Sequence, residues 1–177
     1  MSKSENTINR EALKSLGYGM YIVTSRMDDK INGQVANTVF QVTSKPPQIA
    51  TAISKANLTH EYISKSGVFA VNSLAESAPM DFFGPMGFRS GRVIDKFETA
   101  PHKIGKNGCP ILTENVVAAI EVKVVHQVDV GTHTLFIGEV TSTETISDAR
   151  PMSYAFYREY IKGMTPVDSP THIPSEK

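Results

Sequence analysis

One cysteine, Cys109, stands among 177 residues. A single thiol forms no internal disulfide, no CxxC dithiol couple and no cysteine cage for zinc or iron–sulfur within one chain. Redox work by this chain therefore needs a borrowed cofactor. An excess of charge of one sign is missing too: 18 Lys and Arg face 18 Asp and Glu. No summed positive field draws the chain to nucleic acid or to anionic lipid, so any anion is held locally. No apolar run approaches the roughly 18 residues of a membrane span. The polar start Met1–Arg10 lacks the apolar core of a signal peptide, and the expected location is cytoplasmic. Catalytic signatures are also absent. Gly17-Tyr18-Gly19 is followed by Ile22 where a dinucleotide fingerprint needs its third glycine, and His60-Glu61 by Ser64 where a zincin needs its second histidine. No Gly-x-Ser-x-Gly elbow occurs.

What is present is an ordinary globular composition, with 40% hydrophobic and 20% charged residues. The length suits one domain that buries roughly two thirds of its unfolded surface. We read residues 1–165 as that domain and 166–177 as a polar, proline-containing tail. Ile8–Leu16 reads as a helix stopped by Gly17, because glycine takes the left-handed conformation that ends helices. Tyr18–Ser25 reads as a strand, and Asp28, Asp29, Asn32 and Gly33 as a turn into a second strand, Gln34–Thr43. Pro46 and Pro47 end that strand. Gln48–Ser54 is a third, followed by a helix over Asn57–Ser66, capped by Asn57 or Thr59 and closed by Gly67.

Val68–Leu74 is a fourth strand and Met80–Phe83 a helical turn. The polar, glycine-punctuated stretch Gly84–Gly108 has the length of a binding loop or of disorder. Over Val116–Val128 the even positions read Val, Ala, Ile, Val, Val, His, Val against odd positions that include Glu121, Lys123 and Gln127. This period of two marks a strand with one buried face and places His126 in the core or at an interface. Gly131 and Thr132 turn the chain into His133–Thr143, and Pro151–Lys162 reads as a terminal helix stopped by Gly163. Strands outnumber helices and follow one another through turns, so the expected fold is mainly β: an antiparallel barrel with two or three peripheral helices.

Two polar clusters stand out. Ser54, Lys55, Asn57 and Thr59 open directly into a helix, where free backbone N–H groups and the positive end of the dipole favour a phosphate. Arg89, Ser90, Gly91, Arg92 and Lys96 lie in the long loop and could close over the same anion. The same patterns also fit a capped helix with a solvated lysine and an exposed run of charge.

Four runs carry a resemblance: N-G-Q-V-A-N-T-V-F-Q-V-T-S-K-P-P from Asn32, A-I-S-K-A-N-L-T-H-E-Y-I from Ala52, S-G-V-F-A-V-N from Ser66 and H-T-L-F-I-G-E-V from His133. In their order they resemble the flavin reductase-like family, over about Leu13 to Gly163. The resemblance implies a six-stranded Greek-key split barrel, a homodimer with FMN near the interface, and reduction by NADH or NADPH of free flavin or of a partner redox protein. By position, Asn37, Thr38, Phe40 and Gln41 would lie against the isoalloxazine. Ser54, Lys55, Asn57 and Thr59 would hold the ribityl chain and phosphate, with Arg89, Ser90, Gly91, Arg92 and Lys96 on a second phosphate-side loop. His133 would stand near the flavin and the incoming nicotinamide as the catalytic candidate. Tyr154, Tyr157 and Tyr160 share one helix at spacings of three, a packing pattern from which Tyr154 or Tyr157 reaches a flavin edge.

The closing stretch from Pro151 is similar to the branch in which a flavin domain is fused to a rubredoxin, yet the cysteines of a rubredoxin are missing. The expected iron centre therefore sits on another protein. The alternatives at this point are a flavoredoxin-type electron carrier and a non-catalytic flavin-binding module.

Overall fold

The computed structural model describes residues 8–173; residues 1–7 of the polar lead and 174–177 of the tail lie outside them. Its strands are β1 (Tyr21–Met27), β2 (Lys30–Ala36), β3 (Val39–Ser44), β4 (Pro47–Ser54), β5 (Val68–Leu74), β6 (His102–Ile104), β7 (Pro110–Leu112), β8 (Val116–Asp129) and β9 (His133–Thr145). Three short helices accompany them, α1 (Leu58–Ser66), α2 (Met80–Phe83) and α3 (Tyr154–Glu159). Seven strands form one antiparallel sheet in the order β2-β1-β5-β8-β9-β4-β3, and β6 pairs with β7 separately. The mainly β architecture agrees with the sequence reading.

The two edges of that sheet, β2 and β3, are consecutive in the chain and separated only by Asn37 and Thr38. Laid flat, seven strands would put the edges about 29 Å apart, whereas three residue steps span about 11 Å at most. The sheet therefore curls until its edges meet. Inside the curl, Val23, Ile49, Ile53, Phe69, Val71, Val122 and Phe136 form one core cluster, into which α1 packs Ile63. A second cluster lies on the outer face of β1 and β5, where Phe83, Met86, Phe97, Met152 and Tyr157 cover Ile22 and Leu74.

Several boundaries differ from the sequence reading, for physical reasons. Asp28 takes a left-handed φ of 53°, so Asp28-Asp29 alone makes the first turn and Asn32 and Gly33 lie within β2. The expected single strand Gln34–Thr43 is broken at Asn37–Thr38, where the chain crosses between the sheet edges. The first helix is a 3-10 segment, Arg10–Ser15, with no buried residue to hold more turns; extended Leu16 ends it, not Gly17. The long loop contains a π-helical turn at Gly84–Phe88 as well as β6. The terminal helix is shorter than Pro151–Lys162, and Lys162 at φ 58° makes the left-handed residue there, not Gly163. His126 is exposed: β8 pairs with β5 only as far as Lys123, and beyond that point β9 is its one neighbour. By contrast α1 starts and stops as read, with Asn57 at its N-cap and Gly67 at φ 68° at its end.

Candidate functional site

Between the curled edge, the start of α1 and the C-terminal segment lies a cavity of about 500 Å³. Along β2, Asn32, Gln34 and Ala36 share one face because strand side chains alternate, and all three line it. Asn37 and Thr38, in the break between the edge strands, continue that wall. Ser54 closes β4, and Asn57, Leu58 and Thr59 open α1, so the strand-to-helix corner forms the floor. Asn57 makes no side-chain cap bond to the first turn of α1. Its amide remains available there, beside backbone N–H groups that carry the positive end of the helix dipole.

The far wall is the stretch Met86–Gly91 together with Lys96. Gly91 is required by close approach: a Cβ there would fall 2.1 Å from Asn32 Oδ1. Asn32 in turn donates through Nδ2 to Thr59 Oγ1 at 2.8 Å, tying β2 to α1. The Lys96 side chain is buried, 6% exposed, and donates to the carbonyls of Gly33 at 2.8 Å and Met86 at 3.1 Å. Among the described residues no carboxylate pairs with it, and burial lowers its pKa from 10.5 to about 8. An ammonium holds three protons, so one donor remains for a ligand.

Two residues of the lining, Gln34 and Asn37, each bury an acceptor, Oε1 and Oδ1, that has no partner among the described residues. A buried oxygen without a donor is costly, and native proteins seldom leave one so. The site therefore combines orphaned acceptors, an unneutralised ammonium and the Arg89 guanidinium. That set fits a ligand that carries both N–H or O–H donors and an anionic group, as FMN does.

Of the residues singled out in the sequence, Asn37, Thr38, Ser54, Asn57, Thr59, Arg89, Ser90, Gly91, Lys96 and Tyr154 line the cavity. Phe40, Gln41, Lys55, Arg92 and His133 stand outside its lining. Lys55 Nζ donates to Asp129 Oδ1 at 2.7 Å, and Arg92 is paired with Glu61. His133 pairs with Ser54 across β9 and β4; its Nδ1 lies 2.8 Å from Thr132 Oγ1 and its Nε2 lies 3.1 Å from the Asp168 carbonyl. Phe40 is 55% exposed.

Sequence reasoning missed Gln34 and residues 164–170, which line the cavity, whereas Tyr157, named with Tyr154 as able to reach a flavin edge, lines it too. Gln34 was accessible to it: with β2 starting at Lys30, the alternation that points Asn32 inward does the same for Gln34. Tyr154 stacks on Tyr157 with ring centres 6.2 Å apart. Burial would raise the Tyr154 pKa, but hydrogen bonds from Thr165, Arg158 and Thr171 outweigh it and hold the phenol below its ordinary value. Cys109 is fully buried, which pushes its thiol up to about 12 and leaves it unreactive.

Residues 13–164 match the family described as "Flavin reductase like domain". The chain is 46% identical over 166 residues to a ferric-chelate reductase (NAD(P)H) of Archaeoglobus fulgidus, covering 94% of this chain and 98% of that protein. It is 44% identical over 164 residues to a high molecular weight rubredoxin of Moorella thermoacetica, covering 93% of this chain and 72% of that one. Among solved structures, an FMN-binding protein from Thermus thermophilus superposes with a TM-score of 0.68 at 26% identity, covering 82% of this chain and 78% of that one.

Proposed function

Because the chain belongs to the flavin reductase-like family, we propose that it is an FMN-containing NAD(P)H:flavin oxidoreductase. It takes hydride from NADH or NADPH and passes electrons to free flavin or to a partner redox protein such as a rubredoxin. The observation that carries this reading is the cavity itself, lined by Gln34 and Asn37, each with a buried acceptor that has no partner among the described residues, and by the buried Lys96. Bound FMN supplies the chemistry, since its ring accepts the hydride and no protein nucleophile is needed. The chain's part is to bind, orient and exclude water.

Gln34, Asn37 and Thr38 hold the ring side of the cavity, with Tyr154 at its edge. Ser54, Asn57 and Thr59 face the ribityl chain, and Arg89, Ser90, Gly91 and Lys96 the phosphate. Lys55 and Arg92 stand just outside, each held by a carboxylate that an anionic ligand competes with. Phe40 and Gln41 lie on the exposed strand β3, beyond the break at Asn37–Thr38. His133 is the candidate on the nicotinamide side: it sits at the end of β9 beside Ser54, where a second ligand reaches the mouth of the cavity.

The finer architecture follows the same reading. Counting β2 and β3 as one strand bent at Asn37–Thr38 gives six strands, the number expected of the Greek-key barrel. Residues 1–165 are the FMN-binding domain, and Asp168 and Thr171 of the tail that follows are bonded back to it. The protein is a cytoplasmic homodimer, with flavin near the interface. In support of a second copy, strand register puts Phe40, Leu135, Ile137 and Val128 on one outward face, and Phe40 and Val128 are 55% and 45% exposed. Light scattering is expected to give about twice 19.3 kDa; a value near the single-chain mass would remove the dimer.

A direct test is the identity and reactivity of the cofactor. Heat-released flavin should co-elute with FMN and not with FAD, and NADH or NADPH should bleach the bound flavin in a stopped-flow experiment. Protein that takes up no added flavin overturns the reading. Flavin that bleaches slowly with both nucleotides, yet exchanges electrons quickly with a redox protein, supports the electron-carrier alternative. The name of the A. fulgidus relative adds ferric chelates to the acceptors to be compared in the same assay.

For His133, alanine is expected to slow flavin reduction by up to about a hundredfold, the cost of misplacing reacting rings by about 1 Å, with the fold and the capacity to bind FMN kept. Reduction rates equal to wild type with both nucleotides would leave His133 a structural residue.

A further inference from the structure

Residues 164–170, which contain turns but no helix or strand, form a further wall of the cavity. This segment is attached almost entirely by polar contacts. Tyr157 donates from its hydroxyl to the Met164 carbonyl at 3.2 Å, and the Tyr154 hydroxyl is bonded to Thr165 Oγ1. His133 Nε2 lies 3.1 Å from the Asp168 carbonyl, and Asn37 Nδ2 donates to Thr171 Oγ1 at 2.7 Å. Met164 and Val167 are 71% and 78% exposed, so neither anchors the segment in the core. A stretch held by a few side-chain hydrogen bonds opens far more readily than a packed strand.

Asn37 occupies a special place among these contacts. Asn37 lines the cavity; one end of its amide is bonded to Thr171, while the other, Oδ1, is buried without a partner among the described residues. Turning the amide over exchanges oxygen and nitrogen but keeps this division, because a threonine hydroxyl both donates and accepts. We propose that Met164–Thr171 is a strap that closes over bound flavin, and that Asn37 is the positioning residue that couples closure to occupancy. A ligand donor that satisfies the free end of the amide fixes its plane, and with it the bond to Thr171.

This inference rests on the flavin reading above and extends it. FMN remains in place through turnover as a resident cofactor and is not exchanged as a substrate. The hydride donor enters past an open strap, whose lifting also frees His133 from the Asp168 carbonyl.

Thr171→Val tests the latch, because valine keeps the branched shape, removes the hydroxyl and lies off the cavity wall. Protein loaded with FMN is mixed with an excess of an apo-flavoprotein that scavenges free FMN, and release is followed by flavin fluorescence. Release should be at least about tenfold faster in Thr171→Val, which removes the bond to Asn37 together with the other contacts of that hydroxyl, the one to Ser169 Oγ included, and faster still in a chain ending at Gly163. FMN should slow tryptic cleavage after the exposed Lys162 in the wild type and do so much less in Thr171→Val. Thermal unfolding of the two FMN-free proteins should coincide, a pattern that loss of a merely structural bond would not give.

Release within twofold of wild type in Thr171→Val overturns the strap, whether or not the shortened chain folds. Equal protection by FMN in both proteins overturns the coupling through Asn37. A full chain that takes up no FMN refutes the flavin reading itself, and that is seen before any release is measured.

Discussion

Replacing Lys96 by methionine is expected to weaken FMN binding by roughly ten- to a hundredfold and to leave riboflavin binding nearly unchanged. A hydrogen bond from a charged donor is worth about 1.5–3 kcal/mol, and each 1.4 kcal/mol is about a factor of ten in affinity. Riboflavin lacks the phosphate on which that donor acts. The folding effect of the same change is small by cancellation. Burial that lowers the Lys96 pKa from 10.5 to about 8 opposes folding by about 3 kcal/mol at neutral pH. Methionine removes that penalty, but it leaves the Gly33 and Met86 carbonyls unpaired at about 1–3 kcal/mol each.

The sign of the pH dependence follows from the same shift. Between about 8 and 10.5 the unfolded chain carries the Lys96 proton and the ligand-free native state does not. The unfolded state thus binds more protons, and the stability of the FMN-free protein rises with pH through this window as the burial penalty is relieved. A bound phosphate restores the charged form, so FMN binding takes up a proton above about pH 8. Affinity for FMN should therefore fall with rising pH, by at most about tenfold per unit for one proton. Isothermal titration at pH 7, 8 and 9 with FMN and with riboflavin measures both effects. Equal FMN affinities in wild type and Lys96→Met, at every pH, would place the phosphate elsewhere.

Gly138→Val is expected to destabilise the fold by about 3 kcal/mol or more, the range reached when a side chain is forced into occupied space. Gly138 lies in β9, between Ile49 of β4 and Val124 of β8. A Cβ there would meet the Lys123 carbonyl oxygen at 2.5 Å and Val122 Cγ1 at 2.5 Å. The first of these is backbone, which cannot swing aside as a flexible side chain does, so the β8–β9 pairing must part locally. Because β9 also holds β4, and with it the Ser54–His133 pair at the floor of the cavity, the damage should extend to FMN binding. Gly17→Ala provides the contrast, since no atom lies within 4 Å of a Cβ at that position and its stability should stay near wild type. Urea unfolding midpoints decide it: indistinguishable midpoints for Gly138→Val and wild type would contradict the packing described.

The local chemistry of the sequence by itself determined a good part of this protein. The period of two along Val116–Val128, the Asn57 and Gly67 ends of α1 and the short turns between strands are effects of near neighbours, and they dictated a mainly β chain with its helix at the right place. The single cysteine and the balanced charge by themselves exclude a dithiol, an iron–sulfur cage within one chain and a summed field for nucleic acid. The cluster from Ser54 to Thr59 marked the strand-to-helix corner, because strand end and helix start are both written in adjacent residues.

Only the tertiary structure decided which charges meet the cavity. Lys55 and Lys96 look alike in sequence, yet one is paired with Asp129 at the surface and the other is buried against two carbonyls. A side chain's solvation depends on segments far away in the chain, in this case β2 and the π-helical turn. The same holds for His126, in phase with a buried face but exposed where β8 outruns β5, and for the break at Asn37–Thr38, which exists because a curled sheet must bring its edges together. Residues 166–171 read as part of a polar tail, and 164–165 as the end of the domain, because none of them carries a periodic apolar face. They cover the site through hydrogen bonds to Asn37, His133, Tyr154 and Tyr157, partners that no local pattern could identify.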